Sequence, residues 1–220
     1  LAERGNINTI VMDVTDENSV RSVAKSLSQN NQKVDILINN AAIDAKVNKN
    51  ANVTNASRLE VFDVGEWDRQ LAVGLTGAFI CSKIFGYEMS LNSGGVILNI
   101  ASDLSVIAPD QRLYSNSSMQ ESESATKPVT YSVIKHGLVG LTRYLSTYWP
   151  EKNVRCNALS PGGIFADHRS EGGRKRSVKN HTASASRYAR RCPSATADAW
   201  TWSGWSLLSS GATARSTESR

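Results

Sequence analysis

Apolar residues follow two rhythms along this chain, and the two alternate. Val34-Asp35-Ile36-Leu37-Ile38, Val96-Ile97-Leu98-Asn99-Ile100-Ala101 and Val154-Arg155-Cys156-Asn157-Ala158-Leu159 are short runs, each closing on small polar residues. They predict strands. Between them, apolar residues return at intervals of three and four. Val20, Val23, Ala24 and Leu27 form one such stripe, preceded by Asp16 as a helix cap and followed by Asn30-Asn31 as a left-handed exit. Asp63 and Glu66 stand three apart in the manner of a capping box, and a helix is predicted from there through Trp67, Leu71, Leu75, Phe79 and Ile80 to about Leu91. A third helical run extends from Tyr131 to about Tyr148. Ile7 to Asp13 alternates and then turns apolar, as a further strand would. Strands alternating with helices predict an α/β fold with a parallel sheet, whose ligands lie at the carboxyl ends of the strands.

Two stretches interrupt the pattern. Residues 43–62 are polar and rich in asparagine, and read as a loop. Within the second helix, Gly74, Gly77 and Gly86 each cost roughly 1 kcal/mol against alanine. That cost predicts close backbone packing, either on the sheet or on a second subunit.

The chain has 220 residues, enough for one domain with a buried core. No apolar run reaches the ~18–20 residues of a membrane span, and the start, Leu-Ala-Glu-Arg-Gly, has no charged-then-apolar leader. The three cysteines, Cys81, Cys156 and Cys192, are odd in number and far apart, so neither a disulfide framework nor a metal site is expected. A cytoplasmic location follows as the expectation. The net charge of +5 is unevenly spread. Residues 168–220 hold 10 of the 25 Lys and Arg and 3 of the 20 Asp and Glu, which leaves 15 against 17 for residues 1–167. The first part is thus slightly acidic, and the basicity belongs to an Arg-, Ser- and Ala-rich tail without a sustained period. Its clustered Trp200, Trp202 and Trp205 raise single-stranded nucleic acid as a partner, but no binding module accompanies them, and none is expected. The division expected is 1–167 as the globular part and 168–220 as a poorly ordered tail.

The candidate chemistry lies in Tyr131-Ser132-Val133-Ile134-Lys135. Residues i and i+4 share a helix face, so a phenol and an ammonium stand side by side. A free phenol has a pKa of about 10, and a neighbouring cation favours its ionised form. Such a pair is a plausible proton donor and acceptor. Upstream, Ser102 ends an apolar run with a hydroxyl; downstream, Ser160 leads into Pro161-Gly162. Asn39-Asn40-Ala41-Ala42 closes the run that begins at Val34.

In this order the residues resemble the short-chain dehydrogenase/reductase family, from roughly Leu1 to Asp167. The resemblance implies a Rossmann-like, doubly wound parallel sheet, and an enzyme that uses NAD or NADP to interconvert an alcohol and a ketone. By that resemblance Ser102, Tyr131 and Lys135 are the catalytic residues. Asp13 and Val14 border the adenine, and Asn39, Ala41 and Ala42 run past the ribose. Tyr131, Lys135, Pro161, Gly162 and Ile164 surround the nicotinamide. Ala42 stands where the family usually has glycine. Gly74 stands where most members carry an asparagine that helps to hold a water behind the lysine, so it is not expected to be catalytic. The family's glycine-rich phosphate turn does not occur before Asp13, so the first strands and that loop are expected to be missing. The 28 residues between Ser102 and Tyr131 are polar and charged, which suggests a hydrophilic substrate. Their wording, Ser-Asp-Leu-Ser-Val-Ile-Ala-Pro-Asp-Gln, is similar to the bacterial sugar- and flagellin-modification branch, which acts in nonulosonic acid pathways. A small polar substrate is the partner expected, with a homodimer or homotetramer through the two long helices and no membrane or nucleic acid. The rival expectation is a non-catalytic fragment that keeps the scaffold and the oligomer interface.

Overall fold

Three apolar runs pair side by side into the centre of a four-stranded sheet. The computed structural model describes residues 7–43, 56–114, 124, 126–162 and 205–209, the last as backbone only. β1 (Ile36–Asn39) pairs parallel to β2 (Gly95–Ile100), and β2 pairs parallel to β3 (Val154–Pro161). β4 (Trp205–Ser209) runs antiparallel to β3 at the far side. The helices are α1 (Glu17–Gln29), α2 (Val64–Leu71), α3 (Gly77–Leu91) and α4 (Val129–Ser146). This is the expected Rossmann-like α/β arrangement of parallel strands and helices. The boundary expected after Asp167 lies outside the described residues.

Local chemistry sets the helix ends. Asp16 caps α1 by accepting from the Asn18 N–H at 2.9 Å, and the chain leaves through Asn31 at φ 53°. Asp63 caps α2 by accepting from the Glu66 N–H at 2.8 Å. Glu66 does not reach back to complete a capping box; its carboxylate binds Arg69 and Gln70 instead. The expected single helix from Asp63 to Leu91 is broken by a wider π turn over Ala72–Thr76. Gly74 lies within this turn at a close crossing: a Cβ there would stand 2.9 Å from Ile134 Cγ2 on α4. Gly77 and Gly86 are likewise filled from within the chain, by Val14 and by Trp149. The glycines therefore serve packing inside this chain.

α1, α3 and α4 lie on one face of the sheet. Val20 and Ala24 of α1 pack with Ile80, Cys81, Ile84 and Phe85 of α3 over Leu37. Met89 of α3 and Leu145 of α4 meet Ile97, Val154 and Cys156 of the strands. Each fully buried aliphatic side chain here contributes about 1.5–3 kcal/mol. Residues of the opposite face are open, with Ile36 and Ile38 at 64% and 56% exposure.

Ile7 to Asp13 forms no strand, contrary to the expectation. An extended run becomes a strand only when a neighbour takes its backbone hydrogen bonds. No ladder to this run occurs among the described residues, and Val11 is 99% exposed. Its end is held instead by Met12 and Val14, which pack against the α1–α3 cluster.

Candidate active site

The carboxyl ends of β1, β2 and β3 lie along one edge, because the three strands are parallel and in register from Asn39 through Asn99 to Ala158. A polar chain beneath that edge locks them. Asn39 Nδ2 donates to Asn99 Oδ1 at 2.8 Å and to Ser82 Oγ at 3.0 Å. Asn99 Nδ2 donates to Thr142 Oγ1 at 2.9 Å, and that hydroxyl donates to the Leu138 carbonyl at 2.7 Å. Asn99 and Ser82 are fully buried, so each of these bonds is made away from water. The result joins β1, β2, α3 and α4 just below the strand ends.

α4 brings the phenol and the ammonium to that edge. Lys135 is buried, and its Nζ donates to the Ile100 carbonyl, the last of β2, at 2.6 Å. The Tyr131 ring centroid is 5.6 Å from the same Nζ. Ala101 packs under Val139 of α4 and against Ala158 of β3, and Ser102 follows it directly. Ser102, Tyr131 and Lys135 are thus brought to one end of β2. The Ser102 hydroxyl is buried and engaged locally. It donates to Asp103 Oδ1 at 2.7 Å and accepts from the Leu104 N–H at 3.2 Å, capping the turn Asp103–Ser105.

Residues not singled out by sequence brace this turn. Ser105 Oγ donates to the Ser102 carbonyl at 2.5 Å and lies 3.1 Å from Ser160 Oγ, tying the turn to β3 next to Pro161. On the other side, the fully buried Thr130 hydroxyl donates to Gln70 Oε1, and Gln70 Nε2 donates to Glu66 Oε1 at 2.6 Å. Arg69, then Gln70, hold the Glu66 carboxyl below the usual carboxylate range. This relay fixes the first turn of α4, where Tyr131 stands. No local spacing announces the Ser105–Ser160 and Thr130–Gln70 pairs, since each joins residues remote in sequence.

The other predicted residues are placed as follows. Asn39 turns its amide into the core network, while Asn40, Ala41 and Ala42 follow β1 and are exposed. Val14 packs on Gly77, beside Ala78, whose carbonyl Asn39 Nδ2 approaches at 3.5 Å. Asp13 accepts from both the backbone N–H and the hydroxyl of Thr15, at 2.8 and 2.7 Å. Those two bonds, the hydroxyl's first, hold its exposed carboxyl below its ordinary value. Pro161 and Gly162 end β3, half-buried. Ile164 lies outside the described residues.

The family model for short chain dehydrogenase matches residues 1–177. The chain belongs to the short chain dehydrogenase family. Among its relatives, an uncharacterized oxidoreductase of Thermotoga maritima is 35% identical over 167 residues, covering 74% of this chain and 54% of that protein. The D-threitol dehydrogenase of Mycolicibacterium smegmatis is 29% identical, over 75% of this chain and 54% of the relative. A crystal structure of a short chain dehydrogenase from Leptospira borgpetersenii with bound NAD+ is 29% identical at a TM-score of 0.59, covering 72% of this chain and 54% of that one. The chain spans about half the length of the relatives it matches. At Gly74 the Ile134 methyl groups fill the space that a side chain would take. Among the described residues no helix is long and apolar enough to cross a membrane.

Proposed function

We propose that this protein is an NAD- or NADP-dependent oxidoreductase that interconverts an alcohol and a ketone on a polar, sugar-like substrate. The observation that carries the proposal is the Lys135 ammonium on the last carbonyl of β2, with the Tyr131 ring beside it at the ends of parallel strands. In open α/β sheets ligands bind at that end. The donor set suits the nicotinamide half of a dinucleotide: an ammonium and a phenol one helical turn apart can both donate to ribose hydroxyls. Pro161, Gly162 and Ile164 would flank the nicotinamide. Asn39, Ala41 and Ala42 would pass the ribose, with Asp13 and Val14 at the adenine. Bound there, the nicotinamide supplies or accepts the hydride.

The chain's own residues handle the proton. In the oxidative direction ionised Tyr131 takes the proton of the substrate hydroxyl, and in the reductive direction its hydroxyl returns it to the carbonyl oxygen. Lys135 favours the ionised phenol by its charge. Ser102 donates to the substrate oxygen once its hydroxyl turns away from Asp103. The polar and charged content of residues 103–130 and the kinship with a D-threitol dehydrogenase support a polyhydroxylated substrate. The narrower assignment to nonulosonic sugars rests on the wording of 102–111 and supplies a second substrate group for assay. Pairing of copies through α3 and α4 is part of the proposal, since Phe79 and Tyr87 on α3 and Tyr144 on α4 are 48%, 57% and 62% exposed. A cytoplasmic setting suits Cys81 and Cys156, which are free thiols.

The test is titration with NADH and NADPH followed by nicotinamide fluorescence, then polyol-dependent reduction of the oxidised cofactors. We expect binding, turnover, and a loss of about 10²–10⁴-fold in turnover for Tyr131→Phe, the range of general acid–base catalysis. Undiminished turnover in Tyr131→Phe would refute the assigned role. No binding at millimolar cofactor would favour a scaffold that retains only the fold and an interface.

A further inference from the structure

A second lysine, Lys127, touches the candidate phenol. Lys127 lies one turn before Tyr131, as Lys135 lies one turn after, and its Nζ stands 3.7 Å from the Tyr131 ring centroid. That is well inside the ~6 Å at which an ammonium is attracted to an aromatic face. Lys135, at 5.6 Å, is near the limit. The phenol is therefore held by two cations, with Lys127 the nearer to the ring.

The backbone that carries Lys127 is pinned from two loops. The Lys127 N–H donates to Gln111 Oε1 at 2.8 Å, and Gln111 Nε2 donates to the Lys127 carbonyl at 3.4 Å. Gln111 opens the turn Gln111–Leu113, which Asp110 caps by accepting from the Arg112 N–H at 3.1 Å. One residue earlier, the Thr126 N–H donates to Ser57 Oγ at 3.0 Å and its hydroxyl to the Ser57 carbonyl at 2.8 Å. One residue later, Pro128 leads into α4 with its φ set at −56°. With the backbone already fixed, holding Lys127 over the ring costs only the rotamer freedom of its own side chain. The strap 126–128 thus supplies Lys127 at a set height over the ring.

We propose that Lys127 is a positioning residue for Tyr131: its ammonium clamps the phenol ring, and Gln111 ties that clamp to the loop between Ser102 and Tyr131. This rests on the function proposed above for Tyr131. It gives the 103–114 segment a second task beside bordering the substrate, because any change in the Gln111 turn is passed through the Lys127 backbone to the ring.

The test uses the full chain labelled with 3-fluorotyrosine. The sequence has six tyrosines, and the Tyr131 resonance is assigned by its loss in Tyr131→Phe. Lys127→Met keeps the aliphatic stem and removes the charge; Lys127→Arg keeps a cation. We expect Lys127→Met to move the Tyr131 fluorine resonance while the others hold, and Lys127→Arg to return it towards the original position. The unmoved resonances also show that the variant folds. With D-threitol and NAD+ as the probe pair, kcat falls about two- to fivefold in Lys127→Met at unchanged KM, the scale of an exposed cation–π contact. Lys127→Arg restores it. A Tyr131 resonance indifferent to Lys127→Met overturns the proposal, and so does an unchanged kcat. Absence of turnover in the parent chain would refute the function itself; the resonance then decides the clamp on its own.

Discussion

Asn99 is the joint at which β1, β2 and α4 meet, and replacing it discriminates between kinds of buried polar contact. Its side chain is fully buried, accepting from Asn39 and donating to Thr142 and, at 3.7 Å, to Cys156 Sγ. Asn99→Leu removes the two bonds to nitrogen and oxygen partners and the weak one to Cys156 Sγ but orphans no donor: Asn39 Nδ2 keeps Ser82 Oγ at 3.0 Å, and the Thr142 hydroxyl keeps the Leu138 carbonyl at 2.7 Å. Two net hydrogen bonds at about 0.5–1.5 kcal/mol each give an expected loss of about 1–3 kcal/mol. Asn99→Asp has nearly the same shape and a different consequence. Its second oxygen would face the Thr142 hydroxyl, whose proton is already committed to Leu138, so a buried charge is left short of donors. That costs several kcal/mol, of order 3 or more. Burial raises the folded-state pKa of such an aspartate above about 3.9, so its stability deficit opens as pH rises through and beyond that value and closes below it. Urea unfolding followed by circular dichroism at pH 4 and pH 7 measures both effects. The expected order at pH 7 is parent, then Leu, then Asp, with Asp recovering towards Leu in acid. An Asp variant as stable as Leu at pH 7, or one insensitive to pH, would refute the committed-proton argument.

Three further outcomes follow from packing and titration. Gly86→Ala gains about 1 kcal/mol of helix propensity but places a Cβ 2.6 Å from Trp149 Cζ3, an overpacking that costs about 1–3 kcal/mol. We expect a lower urea midpoint, and a smaller drop when Trp149 is first replaced by leucine. Gly74→Asn should destabilise by a similar ~1–3 kcal/mol through Ile134, and combination with Ile134→Ala should recover at least about 0.5 kcal/mol beyond additivity in a double-mutant cycle. Burial pushes the Cys156 thiol up to about 11 from 9.0, so the stabilisation is intact below pH 9 and is lost as pH rises towards 11. Unfolding free energies across that window should fall by about 2–3 kcal/mol more in the parent than in Cys156→Ala.

Much of the fold was legible because local and tertiary demands coincide. The runs around Ile36, Ile97 and Cys156 are short, apolar and closed by polar residues, and each becomes a strand of the parallel part of the sheet. The caps Asp16 and Asp63 act within three residues of themselves, so they too can be read along the chain. What escaped depends on partners far away. The crossing of Ile134 on Gly74, inside the π turn at Ala72–Thr76, joins residues far apart in the chain. Ile7 to Asp13 has the rhythm of a strand but no ladder among the described residues. β4 lies in a stretch whose Ser-rich composition carries no strand signal; its order comes from pairing with β3. At the site, the spacing of Tyr131 and Lys135 predicted their shared face, and the structure adds the Ile100 carbonyl that receives the ammonium. The supports of that pair, Gln70 on Thr130 and Gln111 on Lys127, link positions that nothing in the linear pattern associates.

The central claim is that the end of β2 receives a nicotinamide cofactor through the Tyr131–Lys135 pair. Its most direct measurement is NADH affinity in the parent chain, Lys135→Met and Lys135→Arg, each checked for folding by circular dichroism. The account predicts saturable binding to the parent, at least about tenfold weaker binding to the folded methionine variant, the scale of one charge-assisted hydrogen bond, and a partial return with arginine. Equal affinity across all three would contradict it.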